Sequence, residues 1–193
     1  MDYLNIYHVC EQSIALGPGT RYVIWVQGCL QNCKGCVTPQ SRPIVAKHLI
    51  PIDELAKSIV QNKQIDGITI SGGEPFLQAS NLAKLLKLVK HSRPEITVLV
   101  FSGYTLEQLT SKIAKAFLKH IDLLIDGPYI DELNDGKGLR GSNNQRLHFF
   151  TDRLLMYQYE LENGGRNNEI ITGAYGTHII GIPRKDIQEK IFN

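Results

Sequence analysis

Gly67-Ile68-Thr69-Ile70-Ser71-Gly72-Gly73-Glu74-Pro75 is a short β-branched run that stops on two glycines and a proline. Such a run, closed by turn residues, reads as a strand whose carboxyl end lies at Ser71-Gly72-Gly73. The unit recurs along the chain. Tyr22 to Gln27 reads as an earlier strand, Ile96 to Phe101 as one ending in Ser102-Gly103-Tyr104, and Ile121 to Ile125 as one ending in Asp126-Gly127-Pro128. Amphipathic stretches separate them: a helix opened by Pro51 and Asp53 and running to about Gln61, one from about Ala79 to His91, and one from Leu106 to Leu118. This alternation is the pattern of parallel βα units.

The carboxyl ends of parallel strands form the rim where α/β folds bind ligands, so all the candidate motifs are expected on one rim. Eight βα units usually take about 250 residues, so this chain has room for about five or six, an α/β fold of the partial, open (β/α)5-6 barrel type. An open side would admit a macromolecular substrate. Residues 1–193 are expected as a single domain, with a C-terminal extension over 150–193. Beyond Asp126, Leu133 to Asn144 reads as a Gly-, Asn- and Asp-rich loop, Arg146 to Phe150 as a strand, and Asn163 to Asn168 as a mobile loop. His178 to Ile182 reads as a last strand, followed by a short tail helix from Arg184.

With 21 basic and 19 acidic side chains the net charge is +2, which gives no field to favour nucleic acid or membrane as a partner. No secretory segment is visible, and no stretch of about 18 consecutive apolar residues occurs. Four cysteines, three of them clustered, fit a reducing, cytoplasmic setting. Lys84, Lys87, Lys90 and His91 stand opposite the apolar Leu82, Leu85, Leu86 and Val89, the ordinary solvated stripe of an amphipathic helix. The six histidines are scattered, and none pairs with a carboxylate at metal-ligand or triad spacing.

Cys29-Leu30-Gln31-Asn32-Cys33-Lys34-Gly35-Cys36 places three cysteines within one short loop, 28–37. A 4Fe-4S cubane held by three thiolates keeps one iron free of protein ligands, and that iron is a place for chemistry. A structural zinc site would need a fourth donor, for which Cys10 or His8 is available. An electron-transfer ferredoxin would normally carry a fourth cysteine nearby.

The C-x3-C-x2-C spacing, followed by Gly72-Gly73-Glu74-Pro75 after a strand, resembles the radical S-adenosylmethionine superfamily. The resemblance implies that Cys29, Cys33 and Cys36 hold the cluster and that S-adenosylmethionine chelates the open iron. Ser71, Gly72, Gly73, Glu74 and Pro75 would contact the cosubstrate, with the Gly carbonyls and Glu74 accepting from its amino group. An ordinary strand-to-helix turn is the alternative for this segment.

A closer resemblance covers residues 13 to 148. Gly17-Pro18-Gly19-Thr20-Arg21, Lys34-Gly35-Cys36, Ser102-Gly103-Tyr104-Thr105-Leu106-Glu107, Asp126-Gly127-Pro128-Tyr129 and Arg140-Gly141-Ser142-Asn143-Asn144-Gln145 resemble, in order, the activating enzymes of anaerobic ribonucleotide reductase. The resemblance implies one cluster, no second cluster domain, and a 5'-deoxyadenosyl radical that takes hydrogen from a glycine on a large partner subunit. It makes Ser102 a ribose-side contact and Asp126 the acidic group near the sulfonium or a nearby cation. A turn role for each remains open. Arg140, Ser142, Asn144 and Gln145 would lie over the site or the partner peptide, or belong to a solvated loop. A low-potential reductant such as flavodoxin or ferredoxin is implied as a further partner. The chain departs from the family after Cys36, where Val37-Thr38-Pro39-Gln40 stands in place of an aromatic residue and Asn. Small relatives of this layout also modify precursor peptides, including spliceases that excise a tyramine unit with a recognition protein. A non-catalytic iron-sulfur electron-transfer or sensor protein is the third reading.

Overall fold

The computed structural model describes residues 2–173 and 176–184. A strand not expected from the sequence opens the chain. Leu4 and Ile6 alternate with Tyr3, Asn5 and Tyr7, the period of a strand buried on one face, and β1 spans Tyr3–Ser13. β2 (Arg21–Val26) follows, buried at every position. Then come β3 (His48–Pro51), α1 (Ile52–Gln61), β4 (Gly67–Gly72) and α2 (Ala79–Ser92). β5 (Thr97–Phe101), α3 (Lys112–Leu118), β6 (Leu123–Asp126) and β7 (Arg146–Phe149) complete the main body. α4 (Gln158–Asn163) and the hairpin β8 (Asn168–Gly173) and β9 (Gly176–Gly181) end the described chain.

Seven strands form one mixed sheet in the order β3-β1-β2-β4-β5-β6-β7. β2, β4, β5 and β6 run parallel, whereas β1, β3 and β7 attach antiparallel at the two sides. The helix-linked parallel core is therefore smaller than five or six units, because the chain turns to hairpin-like pairing after β6. The expected helix from Leu106 to Leu118 is also interrupted: Leu106–Gln108 is a 3-10 turn, and α3 starts only after Ser111, whose hydroxyl accepts from the Ala114 amide. Thr110-Ser111 makes a new cap inside an otherwise continuous apolar pattern. The expected tail helix lies, beyond Arg184, outside the described residues.

Both faces of the parallel core are covered, which is why its strands read as unbroken apolar runs. Tyr22, Ile24, Ile68, Ile70, Val98, Val100 and Leu124 point to the helix layer and meet Leu55, Ile59, Leu82, Leu85, Leu86, Val89 and Phe117. Phe117 is fully buried, with its ring edge-on to Phe76 at 5.1 Å between centroids. Residues of opposite parity form the inner face. Val23 and Trp25 pack with Leu16, Ile180 and Ile182, and Leu99, Leu123 and Ile125 pack with Leu154 and Leu161. The inner face is thus roofed by segments that follow β7 rather than by crossover helices.

Arg21 plugs the amino-terminal end of that inner face. It is fully buried, and its guanidinium donates to Thr69 Oγ1 (3.1 Å), Thr97 Oγ1 (2.7 Å) and the carbonyl oxygens of Ile68 (2.6 Å), Thr97 (3.3 Å) and Pro18 (3.4 Å). Burial lowers its pKa to about 10, so the group stays charged at neutral pH. Gly67 is obligatory beneath it, since a Cβ there would collide with the guanidinium.

Candidate active site

The parallel arrangement brings four strand exits to one rim: Gln27-Gly28-Cys29 after β2, Gly72-Gly73-Glu74 after β4, Ser102-Gly103 after β5 and Gly127 after β6. One cavity opens there. Its lining contains Cys29, Cys33, Cys36, Ser71, Gly72, Gly73, Glu74, Ser102, Gly103, Gly127, Gly141 and Gln145. Residues separated by more than a hundred positions in the chain therefore share one wall.

The cysteine loop is irregular backbone held by its neighbours. Gly28 and Cys29 donate their amides to the carbonyls of Ser41 (2.7 Å) and Arg42 (2.9 Å), and Gly35, at φ +70°, lies against Asp131. Gly72 takes φ +102° where the chain leaves β4, and a Cβ on Gly73 would collide with the Gly28 carbonyl. The two glycines are needed because the β4 exit touches backbone on both sides, Gly72 against Trp25 and Val26 of β2 and Gly73 against Gly28 of the cysteine loop. Burial pushes the thiols of Cys29 and Cys36 up, while the Arg42 charge acts the other way on Cys36. Among the described residues no group of three or more His, Cys, Asp or Glu side chains is already gathered around one ion position, so the thiols share the cavity without being drawn together. The donor set still fits an iron-sulfur group: three soft sulfur ligands, beside a buried Arg42 Nε that has no partner and suits an anionic neighbour. Cys10, the fourth cysteine, sits on β1 within the Val23 and Trp25 cluster and outside the cavity lining. His8 stacks against Trp25 at 5.6 Å.

Glu74 is the most constrained group at the rim. It is 1% exposed, and its Oε1 accepts from the Phe76 amide and the Ser102 hydroxyl, each at 3.0 Å, while Oε2 accepts from the Gly103 amide at 2.8 Å. Its own amide donates to the Gly28 carbonyl at 2.8 Å. Burial pushes the carboxyl up to about 7, against the lowering effect of the three hydrogen bonds. Pro75 then opens the 3-10 turn Pro75–Gln78 into α2, so the segment is both a strand-to-helix turn and part of the cavity rim. Ser102 likewise serves a turn, accepting from the Tyr104 amide at 3.0 Å, while lining the cavity.

Asp126 lies elsewhere than its neighbour Gly127. Its buried carboxylate accepts from the Leu106 amide (2.5 Å) and pairs with Arg146 (2.7 and 3.1 Å), with His148 Nε2 also 3.1 Å away, and it is not part of the cavity lining. The cation it offsets in this structure is Arg146. Of Arg140, Ser142, Asn144 and Gln145, only Gln145 reaches the cavity. It bridges two loops, accepting from Gly141 (2.8 Å) and Ser142 (3.3 Å) and donating to Gly127 O (2.7 Å). Buried Ser142 accepts from the Ile130 amide, Asn144 donates to Pro128 O, and Arg140 pairs with Asp135. Leu16, Trp25, Thr38, Phe101, Tyr129 and Ile182 also line the cavity, and the sequence reading assigned none of them. For Trp25 and Phe101 the signal was strand parity, since both end inner-face runs.

Residues 15–148 match the family described as 4Fe-4S single cluster domain. The chain is 34% identical over 159 residues to the anaerobic ribonucleoside-triphosphate reductase-activating protein of Vibrio cholerae, covering 78% of this chain and 99% of that protein. The protein of the same name from Enterobacteria phage T4 is 35% identical over 157 residues, 79% of this chain and 96% of its own length. That of Escherichia coli K12 is 32% identical over 158 residues, 77% and 98%. With its cysteine loop and glycine-rich β4 exit inside the matched region, the chain belongs to this family of single-cluster activating proteins, and it is a radical S-adenosylmethionine enzyme that uses a 4Fe-4S cluster.

Proposed function

We propose that the chain cleaves S-adenosylmethionine reductively and uses the resulting radical to activate a polypeptide partner, a large subunit of the anaerobic ribonucleotide reductase type. The observation that carries this reading is the single cavity shared by Cys29, Cys33, Cys36, Gly72, Gly73, Glu74, Ser102 and Gly127 at the carboxyl ends of parallel strands. A reduced cluster bound here would supply the one electron needed to split the sulfonium C–S bond of S-adenosylmethionine into methionine and a 5'-deoxyadenosyl radical, which would take a hydrogen atom from the partner's glycine. Cys29, Cys33 and Cys36 would hold the cluster, with Arg42 offsetting its negative charge. Gly72 and Gly73 offer close backbone approach and carbonyl acceptors to the cosubstrate. Glu74, with three donors already on its carboxylate, fixes the β5 exit against the β4 exit and presents a carboxyl whose charge changes near neutral pH.

Our reading of this open, seven-stranded mixed sheet as a partial barrel is supported by the one rim that the exits of β2, β4, β5 and β6 share. The open side leaves room for a polypeptide segment to reach the rim. No helix among the described residues is long and apolar enough to cross a membrane. The proposed chemistry calls for a low-potential one-electron donor of the flavodoxin or ferredoxin type. The test is anaerobic reconstitution with iron and sulfide, followed by strong reductant and S-adenosylmethionine. Formation of 5'-deoxyadenosine, and a glycyl radical signal by electron paramagnetic resonance when the reductase-type subunit is added, is the expected result. Cleavage without any radical on that subunit would redirect the reading to a different polypeptide, and no cleavage at all would remove it.

A further inference from the structure

Two residues of the cavity wall come from a part of the chain outside the matched family region. That region ends at residue 148, and nearly the whole length of the Vibrio cholerae relative is accounted for by 78% of this chain. Gly181 and Ile182 nevertheless line the same cavity as the three cysteines. Ile180 is 1% exposed and Ile182 8%, and both pack with Val23 and Trp25, the inner-face residues of β2.

Two polar anchors hold this segment in place at separate points. Glu169, on β8, accepts from the Ser13 hydroxyl and from the Ile14 amide (3.1 Å), tying the hairpin to the end of β1. Arg166, with 2% of its side chain exposed, donates to Asn134 Oδ1 (2.7 Å) and to the carbonyls of Gly138 (3.2 Å), Arg140 (2.5 Å) and Gly141 (3.3 Å). Gly141 and Gln145, which it helps to place, line the cavity from the other side. The connector expected to be a mobile loop is therefore pinned to the loop over the site.

We propose that residues 166–173 and 176–182 form a specificity element: through Gly181 and Ile182 they complete the apolar wall of the cavity beside Trp25, and Ile182 is a positioning residue against which the partner's polypeptide segment is held. The inference rests on the proposed radical chemistry for its catalytic consequence but not for the wall itself. A radical that attacks any nearby C–H bond requires its target to be held close and bulk water to be kept out. An apolar side chain from a separately anchored segment meets both requirements.

Trp25 is the only tryptophan in the chain, so its fluorescence reports the wall directly in the full-length protein without cluster or cosubstrate. Ile182→Ala, alone and with Ile180→Ala, is expected to raise acrylamide quenching of Trp25 about twofold with unchanged far-ultraviolet circular dichroism, because the covering segment opens locally. Ile182→Leu should restore protection. Unchanged quenching in the single variant would overturn the wall, and the single variant serves if the double one fails to fold. In the reconstituted enzyme with its partner, Ile182→Ala should raise the ratio of 5'-deoxyadenosine formed to partner radical formed by about threefold and raise the partner KM. Greater quenching with an unchanged ratio and KM would leave a wall without a positioning role and overturn that half. A wild-type protein that makes no 5'-deoxyadenosine would instead count against the proposed function, while the quenching experiment would still decide the wall.

Discussion

The carboxylate of Glu74 accepts the Ser102 hydroxyl at 3.0 Å, joining the exits of two adjacent parallel strands inside a buried rim. Together with the Gly103 and Phe76 amides, this bond commits the carboxylate to the protein's own backbone. Glu74 therefore acts first on the shape of the rim, and its influence on a ligand depends on its charge.

That charge gives a pH signature. Burial lifts the native carboxyl from an ordinary value of 4.5 to about 7, so between those values the native state binds more protons than the unfolded chain. Stability is expected to fall as pH rises through this window, by an amount of order 3 kcal/mol, and to flatten above it. Urea midpoints of the cluster-free protein measured across the window should show the slope in wild type and lose it in Glu74→Gln. Ser102→Ala removes one bond that favours the charged form and should move the slope to higher pH.

Replacing Cys29, Cys33 or Cys36 singly by Ser should abolish most iron retention after anaerobic reconstitution, while Cys10→Ser should hold iron like wild type. Cys10 packs with Val23 and Trp25 and does not line the cavity. Equal iron loss in Cys10→Ser, measured by iron analysis, would mean a fourth endogenous ligand and would sink the three-thiolate assignment.

Arg21→Ala leaves five acceptors without their donor at the buried end of the inner face. A cost of about 3–5 kcal/mol is expected, as for removing one member of a buried polar cluster. Arg21→Met, which keeps the volume, should cost less in thermal unfolding experiments. Equal stability of Arg21→Ala and wild type would contradict the plug.

Asp126→Asn tests which way that side chain works. Since its oxygens are taken by Leu106 and Arg146 outside the cavity lining, the variant should lose about 1–3 kcal/mol of stability while the KM for S-adenosylmethionine changes less than about twofold. A large KM effect at unchanged stability would place the carboxylate at the cosubstrate instead.

The local features of the sequence carry most of the cavity rim. β2, β4, β5, β6, α1 and α2 fall close to where β-branched runs and apolar periodicity put them, and the cysteine spacing and Gly72-Gly73 are meaningful within a few residues. β1 was also legible, as the alternation of Leu4 and Ile6 with polar neighbours, but its burial depends on pairing with β2 and β3. The break before α3 was hidden because Leu106 and Leu109 continue a helical apolar pattern that the Ser111 cap overrides.

By itself, then, the order of residues determined the parallel strands, their glycine-rich exits and the thiol set, since short-range periodicity and turn stereochemistry act over a few residues. Only the folded chain decided that Glu74 spends its acceptors on Ser102 and Gly103, that Asp126 turns to Arg146, and that Ile182 packs into the Trp25 cluster. Those contacts join positions far apart in the chain, and no local pattern specifies which distant surface a segment will bury itself against.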